Sequence, residues 1–331
     1  MSTMKDVAKL AGVSISTVSR VLSGDNPSTA SEKTKARIWD AVRTLGYSIN
    51  ETASNLRKPK PNVDEKVIDC ILARELLFFT DPFLSSLRHV IEESLFKKGY
   101  RLRGQIGVSE LEHLDTIGDA AIILGRVDSS VLKVLKKGYK HLIYTGLQDM
   151  DLNIDSVICR GYDAVCAAMD YLASLGHKRI CYLGETSREE RYVAYLDKVR
   201  DLKLVSDKSL VVDVLFTPGD SYNGLKKALS KGLDCSAIIC ANDSSYFGVL
   251  KALKEFHKSI PEDVSVIGIN DMEEIRYLDP MLTSMSIPAE DMGNLVVQLL
   301  ISRIHQTHST PVKLYIPSKL TIRDSCVVNR G

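Results

Sequence analysis

Several features that mark common protein classes are missing from this sequence. No apolar run approaches the roughly 18–20 residues needed to span a membrane, and none of about 7–15 residues opens the chain at Met1–Val7, so no secretory signal is expected there. The cysteines are seven, an odd number, at positions 70, 159, 166, 181, 235, 240 and 326. None forms a C-x-x-C pair and no Cys/His cluster has zinc spacing, so neither a disulfide framework nor a metal site is expected. Apolar settings such as Ile238-Ile239-Cys240 suit reduced packing cysteines of a cytoplasmic protein. Tryptophan occurs once, as Trp39, which is expected to pack rather than stack on bases. The glycine-rich dinucleotide and P-loop patterns, the G-x-S-x-G elbow and H-E-x-x-H are all absent. The seven histidines show no triad spacing. An enzyme on this scaffold is therefore not expected, and no cofactor is implied. Repeats and low-complexity tracts are lacking too.

An excess of either charge is also lacking. The 331 residues hold 43 Lys+Arg against 42 Asp+Glu, for a formal charge of +1. That sum hides a division. Residues 1–60 carry ten bases and five acids, a balance of +5, while the other 271 carry 33 bases and 37 acids, a balance of −4. A compact basic head on a slightly acidic body is the pattern of a nucleic-acid binder. The length exceeds one ordinary domain, and the 44% hydrophobic and 26% charged composition is that of globular units with their own cores.

The head carries helix signals at close spacing. Thr3 suits an N-cap with Asp6 in the first turn, and Val7, Leu10 and Ala11 are expected to share a buried face. Gly12 supplies a stop. One residue later, Ser14 suits the cap of a second helix whose Val18, Val21 and Leu22 face inward. Its other side presents Ile15, Ser16, Ser19 and Arg20, since 15/19 and 16/20 are i, i+4 pairs. A major groove explains that side: Ile15 can touch a thymine methyl, Ser16 a base edge, and Arg20 guanine O6 and N7. Ser14, Thr17 and Ser19 are short donors suited to phosphates. A third helix, capped by Ser31, would cover the pair with Ile38, Trp39, Ala41, Val42 and Leu45 before Gly46.

The run Asp6-Val7-Ala8-Lys9-Leu10-Ala11-Gly12-Val13-Ser14, followed by Ser16-Thr17-Val18-Ser19-Arg20-Val21-Leu22, resembles the lactose/galactose-repressor (LacI/GalR) family. Leu45-Gly46-Tyr47 and Asn50-Glu51-Thr52-Ala53 with Leu56 are similar to that family's hinge. The resemblance implies a short hinge helix that forms on double-stranded operator DNA, with Leu56 as a minor-groove wedge and Asn50 and Ala53 as groove contacts. An isolated helix this short is marginal in water, and an apolar wedge can offset unstacking by bending the duplex. Lys58-Pro59-Lys60-Pro61 reads as a linker.

From about residue 62, apolar strand candidates alternate with helical stretches. Strands are expected at 67–73, 120–124, 142–144, 180–183, 237–240 and 264–269. Helices are expected at 84–95, 162–175, 221–231, 244–256 and 289–304. That alternation predicts an α/β core of parallel sheets covered on both faces. The family resemblance continues through Leu175-Gly176-His177-Lys178-Arg179-Ile180, Ala241-Asn242-Asp243, Ile260 to Gly268, and Pro317-Ser318-Lys319-Leu320. It implies two periplasmic-binding-protein-like lobes with an effector in the cleft. The expected organisation is a helix-turn-helix head at 1–47, a hinge and linker at 48–61, and a core at 62–331. One lobe of the core is set at about 62–160 and 288–316, the other at about 161–287 and 317–331.

Open α/β sheets bind ligands at strand ends. By position in the family, the effector candidates are Asp81, Phe83, Arg160, Arg191, Asn242, Phe247 and Asn270. The polar ones would hydrogen-bond hydroxyls or a carbonyl, and Phe83 or Phe247 would stack on a sugar face. Two of these depart from the family pattern: Asn270 stands in Gly268-Ile269-Asn270 where Gly-x-Asp is usual, and Arg160 stands where an Asp is usual. An amide both donates and accepts and an arginine only donates, so the hydroxyl-reading pattern is altered. The phrases Asp81-Pro82-Phe83 and Ile316 to Leu320 look most like galactose-operon and β-galactosidase repressors, which makes a galactoside the first expectation for the effector. A homodimer without a tetramer-forming tail is expected, with two recognition helices in successive major grooves of a near-palindrome. No membrane partner is expected.

Overall fold

The structure is a computed structural model that describes residues 4–23, 31–45, 66–72, 82–107 and 118–329. The chain divides into two compact units, Met1–Asp64 and Glu65–Gly331.

The first unit is helical. Helices α1 (Met4–Ala11), α2 (Ile15–Ser23) and α3 (Glu32–Leu45) bury Val7, Ala8, Ala11, Val18, Ile38 and Ala41 in one cluster. Gly12 ends α1 with φ +63°, a left-handed conformation that glycine adopts without a Cβ clash. Ser14 then caps α2: its Oγ accepts from Thr17 N at 3.1 Å. Ser31 opens α3 in the same way, accepting from Thr34 N at 3.3 Å. Arg37 on α3 donates from Nη2 to the carbonyl of Ala11 at 2.8 Å, so the third helix satisfies an orphan carbonyl at the end of the first. One expectation is corrected. Leu10 is 54% exposed, and Ala8 takes its place inward beside Val7 and Ala11. The small Ala8 lets the helices approach closely, and the buried face is rotated accordingly.

The second unit holds two six-stranded sheets. The first comprises β1 (Lys66–Leu72), β2 (Tyr100–Gly107), β3 (Ala120–Leu124), β4 (His141–Gly146), β5 (Asp155–Ile158) and β11 (Lys313–Tyr315), in the order β11-β5-β4-β3-β1-β2 and parallel throughout. The second comprises β6 (Ile180–Gly184), β7 (Val211–Asp213), β8 (Ala237–Cys240), β9 (Ser265–Asn270), β10 (Thr283–Ser286) and β12 (Lys319–Thr321), in the order β12-β10-β9-β8-β6-β7. Only β12 runs antiparallel there, against β10.

Helices cover both faces because the strands are apolar on both. Within β6, Ile180 and Tyr182 face one cluster while Cys181 and Leu183 face another. Helices α4 (Pro82–Lys97) and α10 (Ala289–Ile304) pack together on the first sheet, with α5 (Ser129–Gly138) opposite. On the second sheet α6 (Gly161–Ser174) pairs with α7 (Glu190–Asp201), and α8 (Pro218–Ser230) pairs with α9 (Ser244–Glu255). The chain passes between the sheets three times, between Ile158 and Gly161, Ser286 and Ala289, and Tyr315 and Lys319. Those passages leave the strand ends of the two lobes facing one another across a cleft.

Two carboxylates fix the first lobe from inside. Asp69 accepts from Arg103 Nε and Nη2 at 2.7 and 2.8 Å and from the Tyr139 hydroxyl at 2.8 Å. Asp155 accepts from Arg303 Nε and Nη2, both at 2.7 Å, and from Val312 N at 2.8 Å. Both carboxylates are buried, where only such paired and hydrogen-bonded charges are tolerated. No described helix is long and apolar enough to cross a membrane.

Candidate functional site

In the helical unit the turn between α1 and α2 presents a polar surface around one apolar side chain. Ile15 is 42% exposed at the start of α2, next to the exposed Ser14 and Ser16. The hydroxyls form a local chain: Ser14 Oγ lies 2.8 Å from both Ser16 Oγ and Thr17 Oγ1. Ser14, expected on phosphate, is therefore also the cap of its own helix. Ser19 and Arg20 belong to α2, but their side chains lie outside the described residues, as do Asn50, Ala53 and Leu56.

In the core unit a cavity opens between the lobes at the strand ends. The first lobe lines it with Leu72 and Leu124 from strand ends, Phe83 from the first turn of α4, and Arg126, Tyr144 and Gln148. The second lobe contributes Glu189 and Arg191, at the start of α7, and Phe216. Arg191 is only 8% exposed and is thoroughly engaged. It donates from Nε and Nη2 to Glu189 Oε1 and Oε2 at 2.8 and 3.0 Å, and from Nη1 to Ala241 O at 2.6 Å. Its guanidinium carbon lies 4.3 Å from the centre of the Phe216 ring, a cation–π contact. Burial opposes ionisation of Glu189, but the charge and hydrogen bonds of Arg191 outweigh it and hold that carboxyl below the ordinary glutamate range.

The lobes touch directly at the rim. Arg126 donates to the carbonyls of Arg188 and Ser187, Arg188 donates to Asp128 Oδ1 at 2.8 Å, and Asp149 N donates to Glu190 Oε2 at 3.0 Å. Burial raises the Glu190 carboxyl above its usual range.

The other effector candidates fall in different places. Asn242 is fully buried: its Oδ1 accepts from Ser245 N and Oγ at 3.1 and 2.7 Å, opening α9, and its Nδ2 donates to Phe216 O at 3.2 Å. It therefore holds the ring that lines the cavity. Asn270 ends β9 with φ +124°, a conformation rare for a residue with a Cβ. It is 5% exposed, and neither its Oδ1 nor its Nδ2 has a hydrogen-bond partner among the described residues. The neighbouring turn is held by Asp243, which accepts from Met272 N at 2.9 Å and Ser284 Oγ at 2.8 Å. Burial pushes the Asp243 carboxyl up to about 7. Gly268 is required beneath it, because a Cβ there would stand 2.1 Å from Asp243 Oδ1.

Four placements correct the expectation: Asn242 and Asn270 are buried in the second lobe and are not among the residues that line the cavity. Phe247 is half-buried against the cluster of α8 and α9 side chains and does not line the cavity; the ring that does is Phe216. Arg160 is not among the lining residues; it turns outward to Asp149 and Asp163 at 4.0 and 3.4 Å. Asp81 lies outside the described residues. Sequence reasoning missed Glu189, Arg126, Gln148 and Phe216. The Ser187-Arg188-Glu189-Glu190-Arg191 run reads as a solvated helix start, and Phe216 sits in a loop with no periodicity to flag it.

Comparison with known proteins agrees with both halves of this description. Residues 3–50 match the family model for bacterial regulatory proteins of the lacI family, and residues 169–326 match that for the periplasmic binding protein-like domain. The HTH-type transcriptional repressor MelR of Bacillus subtilis is 28% identical over 345 residues, covering 98% of this chain and 98% of its own length. The HTH-type transcriptional repressor PurR of Glaesserella parasuis is 27% identical over 341 residues, covering 99% of this chain and 97% of its own. The solved complex of the transcriptional regulator CelR with cellobiose has the same fold, with a TM-score of 0.71 at 24% identity over 98% of this chain and 100% of that one. The chain thus joins a lacI-family regulatory domain at residues 3–50 to a periplasmic binding protein-like domain at residues 169–326.

Proposed function

We propose that this protein is a cytoplasmic transcriptional repressor, not an enzyme, that binds palindromic operator DNA as a homodimer and is released by a small sugar held between the core lobes. The family and the repressors it resembles support the DNA role. The cleft supports the effector role: Phe83 and Phe216 offer ring faces, and Glu189, Arg191 and Gln148 offer hydrogen-bonding groups. The observation that carries the effector reading is the Glu189–Arg191 pair, buried yet lining the cavity beside the Phe216 ring. Holding an ion pair out of water is costly, and the spare lone pairs of Glu189 can accept from a ligand's hydroxyls. CelR is described in complex with cellobiose, and a galactoside is the first candidate here from the resemblance of the Asp81-Pro82-Phe83 region.

On DNA, α2 would enter the major groove with Ile15, Ser16 and Arg20 on base edges and Ser14, Thr17 and Ser19 on phosphates. The partner copy would place its own α2 about 34–36 Å away, centre to centre. Asn50, Ala53 and Leu56 would occupy the minor groove between them. Fluorescence anisotropy with a labelled palindromic operator tests the whole reading. The expected result is retention that falls steeply with salt and weakens on adding galactose or a galactoside. Salt-insensitive binding, or none, would remove the DNA role. Intact DNA binding with no response or thermal shift across a panel of sugars would remove the effector role.

A further inference from the structure

Three positive features converge on one corner of the cleft: the guanidinium of Arg191, the guanidinium of Arg126, and the N-terminal end of the twelve-residue helix α7. A helix N-terminus beside two arginines is the arrangement that binds phosphate or carboxylate groups. Here the chain fills that arrangement with its own carboxylate. Glu189 is 6% exposed and lines the cavity. Its Oε1 accepts from the Arg191 backbone N at 3.2 Å, at the first turn of α7, and from Arg191 Nε at 2.8 Å, while Oε2 accepts from Nη2 at 3.0 Å. A second acid, Glu185, stands 3.9 Å from Arg126. The remaining described lining is apolar or uncharged, so the two guanidiniums are balanced by Glu189 in the lining and by Glu185 beside Arg126.

We infer that Glu189 sets the charge of the ligand this cleft accepts, reserving it for uncharged hydroxylated effectors and turning away phosphorylated or carboxylated ones. This rests on the proposed effector site. A phosphate entering the corner would meet an arginine whose fork is already taken and a buried carboxylate of its own sign. An uncharged sugar would meet hydrogen-bonding groups without that repulsion. Glu189 is thus a specificity determinant, and its removal should convert the corner into an anion site.

The test compares full-length wild type with Glu189→Gln, which keeps the shape and removes the charge, and with Glu189→Ala. Affinities for D-galactose, D-galactose 1-phosphate and inorganic sulfate are measured by calorimetry at fixed ionic strength, with circular dichroism confirming the fold. The expected result is that both variants gain at least tenfold for galactose 1-phosphate relative to galactose, and gain sulfate binding. A merely structural role would weaken all three ligands together and leave their ratio unmoved. Wild type binding the phosphate ester as tightly as galactose, or variants with no anion gain, would overturn the inference. Anion gain in the variants with no neutral sugar bound by any protein would uphold the filter and instead remove the sugar reading.

Discussion

Replacing Arg191 by alanine tests the central interaction of the cleft, and the structure gives its size. The side chain makes two charged hydrogen bonds to Glu189, one to Ala241 O, and a ring contact with Phe216. Alanine removes them all and leaves Glu189, 6% exposed, as an uncompensated buried charge. Breaking such a pair from one side costs about 3–5 kcal/mol. Removing both charges is different, since an apolar pair of similar volume is often neutral or stabilising by about 1–4 kcal/mol. Arg191→Ala should therefore destabilise the core strongly, while Glu189→Leu with Arg191→Leu should restore most of the loss. The assay is urea unfolding of the full chain followed by near-UV dichroism of the tyrosines, because Tyr182, Tyr192 and Tyr195 cluster beside α7. The sole tryptophan, Trp39, belongs to the other unit and reports on it separately. The double variant also separates folding from binding: it should fold and keep operator affinity, yet lose the effector. An Arg191→Ala cost below about 1 kcal/mol, or a double variant as unstable as the sum of its singles, would refute the claim that this pair is a buried and coupled unit.

Three further outcomes are expected. Asp243, raised by burial to about 7 from 3.8, contributes stability that is full below about pH 4 and lost as pH rises through about 7. Wild-type melting temperature should fall more between pH 5 and pH 8 than that of Asp243→Asn, and parallel curves would contradict this. Arg37→Ala, which frees the Ala11 carbonyl, should lower the stability of the helical unit by about 1 kcal/mol. Trp39 fluorescence should show that loss while the tyrosine transition of the core stays in place; a shift of both together would show the units unfolding as one. Arg20→Ala should cost about 1–3 kcal/mol of operator binding and relax preference at one base position, and an equal loss on all sequences would assign Arg20 to the backbone.

The parts of the fold legible in the sequence are those whose pattern is local. Strands β3, β6, β8 and β9 are short apolar runs buried on both faces, and α6, α9 and α10 keep a helical stripe, so both kinds announce themselves. Strand β2 does not, because an edge strand alternates polar and apolar, as Tyr100-Arg101-Leu102-Arg103 does. Strands β7, β11 and β12 are three residues each at or near sheet edges, too short for any period to show. Leu10 is exposed because i, i+3, i+4 spacing fits more than one rotation of a short helix, and the buried cluster shared with α3 takes the face with Ala8. The site divides the same way. Phe83 and Arg191, carried over by position, line the cavity, whereas Asn242, Phe247, Asn270 and Arg160 do not. Glu189 could not be found, since its meaning comes from burial and from an arginine two residues on, which sequence shows only as a charged run.

The division of charge seen in the sequence now has a physical counterpart in how arginine is used. In the core, three buried carboxylates are each matched by an arginine of the chain: Asp69 by Arg103, Asp155 by Arg303, and Glu189 by Arg191. Those carboxylates belong to the packing, and they account for part of the acidic balance of residues beyond 60. The head instead carries a surplus of five bases over sixty residues, with no comparable stock of acids to match them. In the proposed repressor the two sites therefore do not compete electrostatically. Salt acts on the head, through counterions released from DNA, whereas an uncharged effector acts on the core through the relative position of two lobes. In that proposal the coupling between them is conformational, and by linkage it acts equally in both directions: operator weakens effector by the factor with which effector weakens operator.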